Sequence, residues 1–380
     1  MIFQYIIDWK SLGKLINAPG ISDTQFERIR GHLQSLREKI YQNGILISDD
    51  GTILEGDLRN IINDLKGCEE DPVYFNLLRE MELYEKAYED RSYRICIDNS
   101  HGSNVEACAS AWFEHTRLIS PQGVKGGVVI TDERIQLRNF SIVQLEDYDN
   151  SEVEELRKKW SRGLTFNHRT RQDFRDCLYA FAAASCKWVE FVDPYWFSIG
   201  VSNAGGGETA RQMRYKESTS LFLGPFVRNP DIERIDYITL WPTKTNEDEY
   251  EGFCCNKLEE LMEKFAATRG QRLKVNITLL ENEGRSRSHE CFHNRFMINK
   301  DYTVALLNGM DICDTSGKLV EFQMILFGST TENDNLSRWH IANFVMHNIE
   351  EEEVDVQRPY RVKIRDNPEI TLSLNSQESC

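Results

Sequence analysis

Short apolar runs of strand length alternate with amphipathic stretches of helix length along most of this chain. That alternation constrains the fold more than any other feature, because strands interleaved with helices require a sheet with helices laid against it. Residues 5–9 (Tyr-Ile-Ile-Asp-Trp) read as a strand. Residues 24–43 read as a helix, with Asp23 or Thr24 as cap and Phe26, Ile29, Leu33, Leu36 and Ile40 on one face. Asn43-Gly44 ends it. Residues 56–65 and 72–89 form two more helices, the second turning Phe75, Leu78, Met81 and Leu83 inward. A buried-type strand over 93–98, a helix over 104–116 and a strand over 126–131 complete an N-terminal α/β module spanning residues 1–145. Residues 146–169 begin with a dense run of charges and are expected to form a linker or linking helix.

A second α/β domain is expected over residues 170–349. It comprises a helix over 173–187, a strand over 188–193 stopped by Pro194, and a glycine-rich loop over 202–207. A strand over 234–240, a helix over 254–268 and a strand over 273–279 follow. Residues 292–298 and 302–307 make a hairpin around Asn299-Lys300-Asp301. Residues 350–380 open with four consecutive glutamates and are expected to be an extended or disordered tail. The fold class is therefore α/β, in two successive domains.

The formal net charge is −16, so nucleic acid cannot be held by bulk electrostatics and any phosphate contact must be local. Two basic patches are candidates: Arg162 to Arg175, with His168, Arg169 and Arg171, and Arg285-Ser-Arg287-Ser-His289. No apolar run approaches the roughly 18 residues that span a bilayer. The N-terminus lacks the basic segment and cleavage site of a secretory signal. The expected location is the cytoplasm. The ten cysteines show no zinc-knuckle spacing and are expected to be reduced, structural thiols.

The densest chemistry lies in Phe292-His293-Asn294-Arg295-Phe296. On a strand, His293 and Arg295 point to the same face. An imidazole beside a guanidinium suits a phosphate: the histidine can attack phosphorus or move a proton, and the arginine can hold two oxygens. Asp193, before Pro194 and Tyr195, and Asp311, in Leu307-Asn308-Gly309-Met310-Asp311, are candidates either to orient His293 or to cap turns.

This set, over about residues 170–345, resembles the phospholipase D superfamily. That family carries His-x-Lys, then an aspartate, then Gly-Ser-x-Asn. The chain is most similar to the phospholipase D-like domain found C-terminal to MIT domains, with Asp193-Pro194-Tyr195 after an early strand, His293-Asn-Arg295 on another, and Asn308-Gly309-Met310-Asp311 after the hairpin. Arg295 stands in place of the family lysine, Asn308-Gly309 in place of Gly-Ser, and Asp301 in place of the motif aspartate, one residue late. The resemblance implies a metal-independent phosphodiesterase, a nuclease rather than a lipase. His293 would be the nucleophile, Asp193 and Asp311 would orient it, and Arg295, Asn308 and Gly309 would hold phosphate. Only one full motif copy is present, and His168-Arg169-Thr-Arg171 and Gly328-Ser329 are fragments of a second at most. A homodimer would therefore supply the second histidine. Relatives with His-x-Arg bind membranes or phosphoinositides, so a non-catalytic phosphate-recognising module is the alternative.

In the N-terminal module, Asp8 and Asp98 each follow an apolar strand, at the sheet edge where ligands bind in open α/β folds. With Asp132, Glu55 and Asp57 they could hold Mg²⁺ for two-metal hydrolysis, in a pattern faintly similar to PIN-like nucleases. Ser100, His101 and Ser103 could instead serve a hydrolase, although helix capping by Ser103 or Asn104 accounts for that stretch more simply. The expected partners are nucleic acid or another phosphodiester, a second copy of the chain, and partner proteins in a larger complex. The phosphodiesterase reading needs no cofactor, whereas the N-terminal alternative needs Mg²⁺. A bacterial anti-phage defence role suits such a protein by association.

Overall fold

The computed structural model describes residues 2–49, 54–68, 70–97, 104–120, 126–137, 139–161, 163–184, 187–193, 210–240, 273–282, 295–306, 312–327 and 360–363. The chain divides into two compact units, residues 1–162 and 163–380. Both are α/β.

Unit 1 is built on five strands, β1 (Phe3–Ile7), β2 (Gly44–Asp49), β3 (Ser92–Ile95), β4 (Gly127–Ile130) and β5 (Phe140–Val143). All adjacent pairs are parallel, in the order β3-β2-β1-β4-β5. A parallel sheet is covered on both faces, and every residue of β1, β2 and β4 is accordingly buried. The intervening helices are α1 (Trp9–Ile16), α2 (Asp23–Asn43), α3 (Leu54–Lys66), α4 (Pro72–Arg91) and α5 (Asn104–Ile119), followed after β5 by α6 (Glu152–Ser161).

Local signals explain most boundaries. The first strand ends before Asp8, whose side chain accepts the Ser11 N–H and caps α1, so Trp9 belongs to a helix and not to the strand. The α2 cap is Ser22, one residue ahead of the expected pair, in a reciprocal capping box with Gln25. Its five anticipated apolar positions are all buried. On α4 the inward face is Leu77, Leu78, Met81, Tyr84 and Tyr88, whereas Phe75 and Leu83 are 40% and 42% exposed. The 3.6-residue period passes through the first set and leaves the other two on the flank. The strand expected at 93–98 is a partly exposed edge strand ending at Ile95. Strand β2 follows α2 without a loop. A Cβ at Gly44 would lie 2.5 Å from a ring carbon of Tyr5, so the residue at that junction has to be glycine.

The charged stretch expected to link the modules belongs to unit 1 over most of its length. Residues Leu145–Asn150 form a 3-10 turn that buries Leu145 and Tyr148, and α6 follows. The carboxylate of Glu154, 1% exposed, accepts two hydrogen bonds from Arg157 at 2.6 and 2.9 Å, and Arg157 also reaches Gln42 at 2.9 Å. Much of the charge run is thus an internal network that fixes α6 against α2.

His115 of α5 stacks on Trp112 and leans on Tyr93. Burial pushes its imidazole from 6.5 down to about 4. Because the folded value is depressed, the unfolded chain binds the proton first as pH falls. The stabilisation is complete above about pH 6.5 and is lost between there and about pH 4, by on the order of 3 kcal/mol. Urea midpoints of wild type and His115→Leu, compared at pH 7 and pH 4.5, are expected to show the variant losing less stability on acidification. An equal loss in both would refute the assignment.

Unit 2 contains β6 (Leu164–Phe166), α7 (Arg171–Ala184), β7 (Trp188–Val192), α8 (Ala210–Arg228), β8 (Arg234–Leu240), β9 (Lys274–Asn282), β10 (Phe296–Ile298), β11 (Thr303–Leu306), β12 (Phe322–Phe327) and β13 (Tyr360–Lys363). They make an eight-stranded sheet in the order β13-β9-β8-β7-β10-β11-β12-β6. Strands β9, β8 and β7 run parallel, and β10, β11, β12 and β6 continue antiparallel from β7. The predicted hairpin is β10–β11. Part of the expected tail is β13, paired antiparallel with β9. The glycine-rich 202–207 stretch, the expected helix over 254–268 and the second basic patch lie outside the described residues. An aromatic core joins α7 and α8 to the sheet: Phe191 stacks on Tyr237 at 5.1 Å and meets Phe226 edge-on at 5.4 Å, while Phe174 contacts Phe222 and Phe322. Among the described residues of both units, no helix is long and apolar enough to cross a membrane.

Candidate functional site

In unit 2 the register brings two of the predicted site residues together. Strand β10 pairs with β7 so that Phe296 faces Val192, Met297 faces Phe191 and Ile298 faces Glu190. One step outward from the Phe296–Val192 pair, Arg295 falls opposite Asp193. The Asp193 N–H donates to the Ile238 carbonyl at 3.0 Å, and the Arg295 carbonyl accepts the Leu306 N–H at 2.8 Å. Both residues are therefore held by the backbone of a central strand. On the other flank of β7, Val192 is level with Ile238, which sets Thr239 beside Asp193. Asp193 and Thr239 are 1% and 0% exposed, and Arg295 is half-buried.

A guanidinium, a carboxylate and a hydroxyl thus lie level on three neighbouring strands, at the C-terminal edge of the parallel pair β7–β8. Side chains alternate along a strand, so Asp193 shares a face with Phe191. The electrostatics agree: the Tyr237 phenol, on the same face, is pushed well up, by burial first and by the Asp193 charge second. The floor is also tied from above, since the Ser218 hydroxyl of α8 accepts the N–H groups of both Ile312 and Cys313 at 3.1 Å. That anchors the chain immediately after Asp311.

His293, Asn308, Gly309 and Asp311 lie outside the described residues, as do Pro194 and Tyr195. Asp301 lies in the β10–β11 turn, where Asn299 Oδ1 accepts the N–H groups of Asp301 and Tyr302 at 2.9 and 2.7 Å. It stands at the end of β10 remote from Arg295. Of the proposed second-copy fragments, His168 and Arg169 lie in an exposed 3-10 turn, and Gly328-Ser329 is outside the described residues.

In unit 1 the strand order reverses between β1 and β4, and Asp8 and Asp132 follow those two strands at their C-terminal ends. Such a reversal point is where open α/β sheets bind ligands. Asp8 is engaged structurally: Oδ1 accepts the Ser11 N–H at 3.1 Å and Oδ2 accepts the Thr131 hydroxyl at 2.6 Å. Asp49 closes β2 and accepts the Leu54 N–H at 3.3 Å. Glu55 is buried against Ser48 and paired with Arg59 and Arg94. The carboxyls of Asp57 and Asp132 are held above the usual range. Burial is the first cause for both. For Asp57, Lys10 opposes it while Asp8 and Asp49 add to it; for Asp132, Glu146, Asp8 and Asp147 add to it. Among the described residues no three His, Cys, Asp or Glu side chains converge as a metal-ligand set. Asp98 and the Ser100–Ser103 group lie outside the described residues.

Sequence reasoning missed Thr239, Ser218 and Asp49. Only Asp49 carried a usable signal, the apolar run Ile45-Leu-Ile that precedes it. The fold and these two edges define a two-unit α/β protein with polar groups collected at the C-terminal ends of its parallel strands. No family model matches the chain, and no curated protein is significantly similar to it.

Proposed function

We propose that this protein is a metal-independent phosphodiesterase of phospholipase D type, acting on nucleic acid. The single observation that carries this reading is the opposition of Arg295 and Asp193 on adjacent central strands, two residues from His293 in the sequence. The His293 imidazole attacks phosphorus, a P–N bond forms, and the P–O bond to the leaving group breaks. The same histidine of a second copy protonates the leaving oxygen, and water then releases the phosphate. Arg295 neutralises the charge on the transferring group, with Asn308 and Gly309 as further phosphate contacts. Asp193 and Asp311 hold the imidazole. The protein acts as a homodimer in the cytoplasm, in a defence role and with partner proteins. Its alternative form is a binding module that uses the same pocket without turnover.

A second reading places Mg²⁺-dependent hydrolysis in unit 1. It is favoured by the placement of Asp8 and Asp132 at the C-terminal ends of β1 and β4, where the strand order reverses. Cleavage of DNA, RNA and bis-p-nitrophenyl phosphate in EDTA separates the two. Turnover that persists in EDTA and in Asp8→Asn supports the phospholipase D chemistry. Turnover that requires Mg²⁺ and disappears in Asp8→Asn moves it to unit 1. Asparagine keeps an oxygen for the α1 cap, so the variant removes the charge with little loss of structure.

A further inference from the structure

A cavity of ≈ 240 Å³ opens between α7 and α8. From α7 it takes Arg171, Arg175 and Tyr179, which recur every four residues and so line one side of that helix. From α8 it takes Glu217, Leu221, Pro225 and Arg228. Three guanidinium groups therefore face one carboxylate, in a chain whose net charge is −16.

The arginines are held in place. Arg228 donates to the Tyr179 hydroxyl at 2.8 Å, Arg175 lies over the Tyr179 ring at 6.0 Å, and Arg171 donates to the Gly317 carbonyl. Arg171 and Arg175 are half-buried, and neither forms an ion pair among the described residues. With three guanidinium groups facing a single carboxylate, the partly buried positive charge is in excess and is relieved by an incoming anion. The wall also offers acceptors. Pro225 has no N–H, so the carbonyl of Leu221, four residues earlier, lacks its helical donor. Glu217 adds a carboxylate, with Tyr179, Leu221 and Pro225 giving apolar surface between the polar groups.

We propose that this groove binds a small sugar phosphate. Guanidinium groups reaching in from both helices match a tetrahedral dianion better than a planar carboxylate, which one arginine satisfies in bidentate fashion. The carbonyl and carboxylate match free hydroxyls. The volume lies below the roughly 300–1,000 Å³ of sites for drug-sized ligands, which selects a monosaccharide phosphate over a dinucleotide or a polymer. Binding here is independent of the phosphodiesterase reading, because it calls on no residue of the β7–β10 edge.

Titration calorimetry on the full chain tests this with ribose 5-phosphate, inorganic phosphate and ribose. Ribose 5-phosphate is expected to bind once per chain with a Kd below about 1 mM, phosphate more weakly, and ribose without saturation. Arg175→Gln is expected to weaken the sugar phosphate roughly 10- to 100-fold, and Arg175→Lys less, with both variants melting like wild type. No saturable binding would overturn the proposal, as would equal affinity in Arg175→Gln, or phosphate binding as tightly as the sugar phosphate. Binding that survives Arg175→Gln but disappears in Arg295→Ala belongs to the β7–β10 edge and overturns it too.

Discussion

His293→Ala is expected to abolish metal-independent phosphodiester cleavage, lowering kcat on the order of 10⁴- to 10⁶-fold, as loss of the attacking group does in enzymes with covalent intermediates. Arg295→Ala is expected to cost roughly 10²- to 10³-fold, the usual effect of removing one group that stabilises charge in the transition state. Arg295→Lys should recover part of that, because an ammonium keeps the charge and loses the two-pronged geometry. Asp193 adds a signature that a merely structural residue would not give. Asp193→Asn leaves the backbone bond to Ile238 intact, removes the charge facing Arg295, and is expected to shift the pH–rate profile of His293. Single-turnover kinetics with wild type and the four variants measure all of this, and an acid-labile phosphoenzyme trapped in wild type but not in His293→Ala would identify the intermediate. Wild-type rates in His293→Ala would remove the histidine from the mechanism. Tight phosphodiester binding by wild type without cleavage, weakened in Arg295→Ala, would leave the pocket as a recognition site.

The largest effect on stability is expected at Phe191. It is fully buried at the centre of the unit 2 sheet, stacked on Tyr237 at 5.1 Å and edge-on to Phe226 at 5.4 Å and Phe222 at 6.5 Å. Phe191→Ala removes the side chain that joins the sheet to α8 and leaves a cavity the surrounding rings cannot close. The expected cost is about 3–5 kcal/mol. Amide hydrogen exchange across β7, β8 and α8 reads the loss locally, which a single melting temperature does not do in a two-unit chain. Phe75→Ala, at a position 40% exposed on α4, is the control and is expected to change stability by about 0.5 kcal/mol or less. Protection in unit 2 unchanged by Phe191→Ala would mean that the aromatic cluster contributes little to the fold. Asp193 lies two residues along the same strand face, so the variant is also expected to slow catalysis by loosening that carboxylate.

Where local pattern decides structure, the sequence was legible. The five buried positions of α2, the start of α4 at Pro72 behind Asp71, and strands β4, β7 and β8 follow from periodicity and caps that involve residues within a turn or two of one another. Where two local signals conflicted, it was not. Asn43-Gly44 reads as a helix stop, but Gly44 also opens β2, because the ring of Tyr5 excludes a side chain there. The interior Pro225 and the glycine run before it hid α8. The charges of 146–163 resemble a solvated linker until Arg157 and Gln42, 115 positions apart in the sequence, are seen to meet.

The candidate site divides in the same way. Sequence alone determined the α/β class and an aspartate at the end of β7, since each depends only on residue type and spacing. Tertiary structure alone decided that Arg295 lies opposite Asp193 with Thr239 alongside, and that Arg171, Arg175 and Arg228 share one groove. Those meetings depend on which strand pairs with which, in what register, and on how α7 lies beside α8. Both are set by burying apolar faces across long stretches of chain, and a local pattern carries no record of them.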